Sequence, residues 1–121
     1  MTALIPFLWF DTQAEEAARY YVSIFPNAKL GEIQRFPAGA YGPEGSVMTA
    51  SFELGGQQIV ALNGNKRHAF SPASSLLVFC KGADEAEAVS AKLADGGDRQ
   101  PGGWLKDRYG VSWQIAVGVA A

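Results

Sequence analysis

The same order of local signals is stated twice along this chain, and that repetition limits the folds open to it. Residues 4–10 read as a strand, and Thr12 with Glu15 three residues later reads as a capping box for the helix that follows. Ala14, Ala17, Ala18, Tyr21, Ile24 and Phe25 then fall at helical spacing as one buried stripe, which Pro26-Asn27 closes. Residues 29–36, 47–54 and 57–62 follow as strands, the last two flanking Gly55-Gly56, a two-residue hairpin signal. After the polar, turn-rich stretch 63–72 the scheme restarts. Residues 75–80 form a strand, Asp84 and Glu87 offer a cap, and Ala86, Val89, Ser90 and Leu93 mark one face of a second helix ending at Gly96-Gly97. The closing segment supplies more strand. Two units of strand, helix and several strands predict an internally duplicated α+β domain rather than a solenoid, because only two repeats are present.

Composition narrows the partners. At 121 residues with 48% hydrophobic content the chain suits one compact domain with its own core. Net charge is −2, with 10 basic and 12 acidic residues spread along the sequence, so no cationic face stands ready for a run of phosphates and nucleic acid is not expected. Apolar runs fall far short of the roughly 20 residues of a membrane-spanning helix, and the first residues lack a signal-peptide layout. A cytoplasmic protein with no membrane partner is expected. The single cysteine, Cys80, has no internal disulfide partner and reads as a small buried strand residue.

The chemistry-bearing residues gather near the end of the chain. Trp104-Leu-Lys-Asp-Arg-Tyr-Gly-Val-Ser-Trp-Gln-Ile puts two tryptophans, a tyrosine, an aspartate and a glutamine around one glycine turn, as a binding-site wall would. After Tyr109-Gly110, residues Val111, Trp113 and Ile115 alternate with Ser112, Gln114 and Ala116, the period of a strand with one apolar face. Asp107, at the lip of this hairpin, is the candidate general base; the competing reading is a turn-capping aspartate or a partner for Lys106 or Arg108. Trp9, Phe7, Trp104, Tyr109 and Trp113 line a cleft or fill the core. Asn63 and Gln114, on closing strands, either place a polar ligand or pair internally, since a buried unpaired amide costs about 1 to 3 kcal/mol. His68 sits in Asn65-Lys-Arg-His, which reads as a solvated loop with no group to orient the imidazole. The loop over 37–45, with three glycines and two prolines, is expected as a flap.

The segments Pro6-Phe-Leu-Trp-Phe-Asp, Ala14-Glu-Glu-Ala-Ala, Phe52-Glu-Leu-Gly, Ala61-Leu-Asn-Gly and Gly103-Trp-Leu-Lys-Asp-Arg-Tyr-Gly-Val-Ser-Trp-Gln-Ile resemble the PhnB-like, or demethylubiquinone methyltransferase-like, family of the vicinal oxygen chelate superfamily. The resemblance runs over nearly the whole chain. It implies two βαβββ modules, here about 3–64 and 73–118, whose curved mixed sheets surround a cleft usually completed by homodimerisation. It also implies metal ligands on the first and last strands of each module in those relatives that use metal. Here the first strand has none, its counterpart has only a serine and the thiol, and Asn63 and Gln114 stand where a glutamate is expected, so no bound metal is expected. A Gly-rich turn for a nucleotide-type cofactor is missing between Phe10 and Ala14, and no cofactor is expected either.

These readings converge on a homodimeric binder of a small molecule. Two functions fit it: metal-independent isomerisation or proton transfer, with Asp107 as base and Trp9, Asn63, Trp104, Tyr109, Trp113 and Gln114 holding the substrate, or sequestration of a small molecule without chemistry. A metal-dependent lyase or dioxygenase would need ligands from other positions. A base at the cleft favours the enzyme, and aromatics with only neutral polar groups favour the binder.

Overall fold

A computed structural model describes residues 3–118. The chain divides into two units, Met1–Ala69 and Phe70–Ala121. In the first, β1 (Phe7–Phe10) leads into α1 (Ala14–Ile24), followed by β2 (Ala28–Arg35), β3 (Val47–Leu54) and β4 (Gln57–Asn63). In the second, β5 (Leu76–Cys80) and α2 (Ala83–Leu93) precede the two-residue strand β6 (Asp98–Arg99), a 3-10 turn at Pro101–Gly103, β7 (Trp104–Lys106) and β8 (Ser112–Val117).

Each unit builds one four-stranded sheet, and the strand orders β1-β4-β3-β2 and β5-β8-β7-β6 are the same order of first, fourth, third and second strand. The first strand lies parallel to the fourth in both, with the remaining pairs antiparallel. The duplication read from the order of signals is therefore a duplication of topology, and the α+β architecture of two mixed βαβββ sheets is what the chain adopts. Among the described residues no helix is long and apolar enough to cross a membrane.

Each helix covers one face of its own sheet. The α1 stripe Ala14, Ala17, Ala18, Tyr21 and Ile24 is buried as its spacing predicts, whereas Phe25, expected in the same stripe, follows the helix in extended backbone and is half-buried; the Tyr21 ring lies 5.8 Å from that of Phe52 on β3. Phe10, Ala50, Ile59 and Ala61 complete this core from the strands. In the second unit Val89 and Leu93 of α2 are buried, as are Cys80, Leu105, Trp113 and Ile115 from the sheet. Period-two alternation then fixes what the opposite face of each sheet carries.

The helix starts differ from expectation. Neither Thr12 nor Gln13, the residue before α1, makes a side-chain cap; the Ala14 amide donates instead to Asn63 Oδ1 at 2.8 Å, an acceptor 49 residues away on β4. The need to satisfy the first helical N–H is met across the fold rather than along the chain. Asp84 and Glu87 likewise make no cap: α2 follows Gly82, the Glu85 carboxylate accepts the Lys81 amide at 3.2 Å, and Glu87 faces Arg99 in a two-pronged ion pair. The loop over 37–45 is tied at its base by Phe36 N to Ser46 O (2.9 Å) and Gly45 N to Phe36 O (3.0 Å), and at its tip by the Tyr41 hydroxyl donating to Asn63 O at 3.2 Å.

Candidate functional site

The final hairpin is built around Asp107. Its Oδ1 accepts the amides of Tyr109 (2.9 Å) and Val111 (3.0 Å), and its Oδ2 accepts the Trp113 indole N–H at 2.9 Å. The backbone closes the same turn through Asp107 N to Val111 O and Gly110 N to Asp107 O. Gly110 supplies the φ of 92° that this tight reversal requires and that an L side chain would resist. Asp107 is 2% exposed and Trp113 1%, on the helix-covered side of the sheet. A proton-abstracting base must reach its substrate directly or through one water. This carboxylate is committed to ordering the turn. Tyr109 is half-buried in that turn, tied to it by its own amide.

Trp104 and Gln114 are cross-strand partners on β7 and β8, and Gln114 is also aligned with Leu77 of β5. Together with Phe79 they form the face of the second sheet turned away from α2. Leu77 is 54% exposed, Phe79 42% and Trp104 37%, so three large apolar side chains stand around one neutral amide. Trp113 and Gln114 are adjacent on a strand and hence point to opposite faces; only Gln114 reaches this one.

In the first unit the corresponding face carries Phe7 and Trp9 of β1 beside Val60 and Leu62 of β4. Trp9 is held in place. Its indole N–H donates to Asn65 O at 2.9 Å, its ring meets His68 edge-on with centroids 4.9 Å apart, and its flat surface packs on Gly64, where a Cβ would collide with the ring. Asn63 lies on the other side. Its Oδ1 takes the Ala14 amide and its Nδ2 donates to Val47 O at 3.0 Å, so both ends of the amide join elements of the fold.

Asn63 also borders a cavity of about 670 Å³ between the start of α1, the end of β4 and the 37–45 loop. Its wall mixes Asp11, Glu15, Glu16 and Arg19 with Phe36 and Tyr41. Glu15 and Arg19 already pair at 2.8 Å, and the first amide of α1 is spent on Asn63. None of the aromatic residues singled out by the sequence opens into it.

Of the residues expected at the site, the bare sheet faces therefore hold Trp9, Trp104 and Gln114, while Asp107, Trp113 and Asn63 serve the helix-covered side and Tyr109 the turn. Leu77 and Phe79 were not singled out, although alternation from the buried Cys80 places them on the bare face, and the segment around His68, read as a solvated loop, is exposed but sets its imidazole against Trp9. Among the described residues no three of His, Cys, Asp and Glu gather as a metal ion would need. The residues do not fit a metal, and the turn from β1 to α1, with no glycine and its first helical amide occupied, does not fit a nucleotide-type cofactor.

Residues 2–116 match the family model described as 3-demethylubiquinone-9 3-methyltransferase. Among solved structures, a PhnB protein from Bacillus cereus is 35% identical, with 97% of this chain and 100% of that one aligned at a TM-score of 0.84. A Pseudomonas aeruginosa protein aligns over 97% and 98% at 21% identity and a TM-score of 0.79. The fosfomycin resistance protein FosX of Listeria monocytogenes shares the fold at 11% identity, covering 100% and 94% with a TM-score of 0.64. A comparison with curated proteins gives no match. The two mixed βαβββ sheets are thus the vicinal oxygen chelate fold, and the chain belongs to the PhnB-like 3-demethylubiquinone-9 3-methyltransferase family.

Proposed function

We propose that this protein binds a small, largely apolar molecule on the sheet faces its helices leave bare, and that it does so without proton transfer by Asp107. The observation that carries the reading is the bare face of the second sheet: Leu77, Phe79 and Trp104 surround Gln114, with Lys106 and Ser112 one step further along the same face, an apolar wall with a few polar groups, the composition of a small-molecule site. Asp107, the residue best suited in sequence to act as base, has three N–H donors on its two oxygens. Trp9, Trp104 and Gln114 are the ligand-contacting residues in this reading, and Asp107, Trp113, Tyr109 and Asn63 shape the scaffold that presents them. A homodimer, expected from the family resemblance, belongs to the same proposal.

Native mass spectrometry of freshly purified protein tests it, because one spectrum reports subunit number and any retained organic mass. A ligand so identified should bind about tenfold more weakly to Trp104→Ala or Gln114→Ala, the loss of roughly one good contact, while both variants melt near the parent temperature. Undiminished affinity in both variants would remove the second sheet from the site. Turnover of the ligand that disappears in an Asp107→Asn protein of unchanged melting temperature would replace the binder with the enzyme.

A further inference from the structure

Resting on the reading that the bare sheet faces bind a small molecule, we infer that the face of the first sheet selects an aromatic ligand carrying a carboxylate or a comparable anionic group. Trp9 is the platform. Three contacts fix its ring, namely the 2.9 Å bond to Asn65 O, the edge contact of His68 and the close approach of Gly64, so stacking a ligand on it orders no further rotamer. Beside it, Asn65 Oδ1 accepts the Arg67 amide at 2.8 Å, a local turn that holds Lys66-Arg67-His68 next to the indole. His68 thus lies against the aromatic surface, and the exposed Lys66 and Arg67 precede it in the same short turn.

Across the sheet from the platform no opposing charge follows in register. The row across the sheet from Trp9 runs through Leu62 and Thr49 to Gln34, apolar and then neutral. Its acids, Glu32 and Glu53, stand on β2 and β3, with β4 between those strands and β1, and Glu53 is paired with Lys29 at 3.2 Å. The acidic residues Asp11, Glu15 and Glu16 line the cavity at α1, which Gly64 and Asn65 border from the platform side. An aromatic anion therefore finds its ring partner and its counter-charge together, whereas an aromatic cation would meet Lys66 and Arg67. Both cations are exposed, so the selection they exert is modest and weakens with salt.

The test is a matched pair of probes, 2-naphthoate and 2-naphthamide, titrated calorimetrically at low ionic strength. The parent protein should bind the carboxylate about five- to tenfold more tightly than the amide, a preference that 0.5 M salt largely removes. The double variant Lys66→Gln/Arg67→Gln should bring naphthoate down to the level of naphthamide and leave naphthamide unchanged, and Trp9→Ala, checked for an unaltered melt, should weaken both. Equal binding of the two probes in parent and double variant, still lost with Trp9→Ala, would overturn the anionic preference while leaving the bare-face site in place. Binding of neither probe would overturn the inference together with the first-sheet half of the site.

Discussion

Replacing Asp107 by asparagine separates a scaffold residue from a catalytic base more sharply than any other single change. The side chain keeps its shape and one oxygen, so the amides of Tyr109 and Val111 retain an acceptor, now uncharged. The new NH2 group replaces Oδ2 and faces the Trp113 indole N–H, which lies 2.9 Å from that oxygen in the parent. Two donors then confront each other at a site where Asp107 is 2% and Trp113 1% exposed. A hydrogen bond to a charged group contributes about 1.5–3 kcal/mol and a neutral one about 0.5–1.5, so losing one of the first kind and downgrading two, offset by removal of a buried charge, gives a net loss of about 2–4 kcal/mol. With an unfolding entropy near 2.1 cal/mol/K per residue, 121 residues melting together should lose about 8–16 °C in Tm. Thermal melts by circular dichroism measure this, and Trp113→Phe supplies the internal control. Without the indole donor the asparagine no longer faces a like group, so Asp107→Asn should cost at least about 1 kcal/mol less in that background. A Tm within about 2 °C of the parent for Asp107→Asn, with no coupling to Trp113, would refute the scaffold role and return Asp107 to the candidates for chemistry.

Asn63→Ala removes the acceptor of the Ala14 amide and the donor to Val47 O, and should cost about 1–3 kcal/mol in urea unfolding; Asn63→Asp, which keeps the acceptor at the helix start, should cost less. Equal losses in the two variants would show that the cap contributes little. Gly64→Ala places a methyl against the Trp9 ring and should change the near-ultraviolet circular dichroism of tryptophan while leaving the far-ultraviolet spectrum intact; an unchanged near-ultraviolet spectrum would mean that the ring is not held as described. Burial, and secondarily Glu85, push the Cys80 thiol above its ordinary value of 9.0. The folded state therefore holds that proton to higher pH than the unfolded one, so the stability contribution is complete below pH 9 and is lost as pH rises through the raised folded value. Parent protein should lose more Tm between pH 8 and pH 10.5 than Cys80→Ala, and parallel losses would argue against the shift.

The parts of this fold that were legible in sequence are those a periodic signal governs. The α1 stripe from Ala14 to Ile24 and the hairpin at Gly55-Gly56 follow from spacing and turn chemistry alone, and the repeat of topology follows from the repeat of order. The helix cap was misplaced for the opposite reason: Thr12 and Glu15 satisfy a local pattern, but the N–H they would serve is reached first by Asn63, a residue that only the parallel pairing of β1 with β4 brings to the helix start. At the site, Trp113 and Gln114 were both read as ligand-contacting although the alternation read from the same strand sends neighbours to opposite faces. Once the buried member is fixed, alternation sorts the rest: Trp113, Leu105 and Ile115 go beneath α2, and Trp104, Gln114, Leu77 and Phe79 go to the bare side. The same sorting in the first unit sends Asn63 to the helix and Trp9 outward. Duplicated topology then leaves two bare faces whose residues differ: in the second sheet Gln114 and Lys106 stand with Trp104, while in the first Trp9 is held by the segment 65–68, which is not part of the repeated pattern. The chemical individuality of this chain thus lies in its least repetitive stretch, which is where substitutions should alter ligand preference without disturbing either sheet.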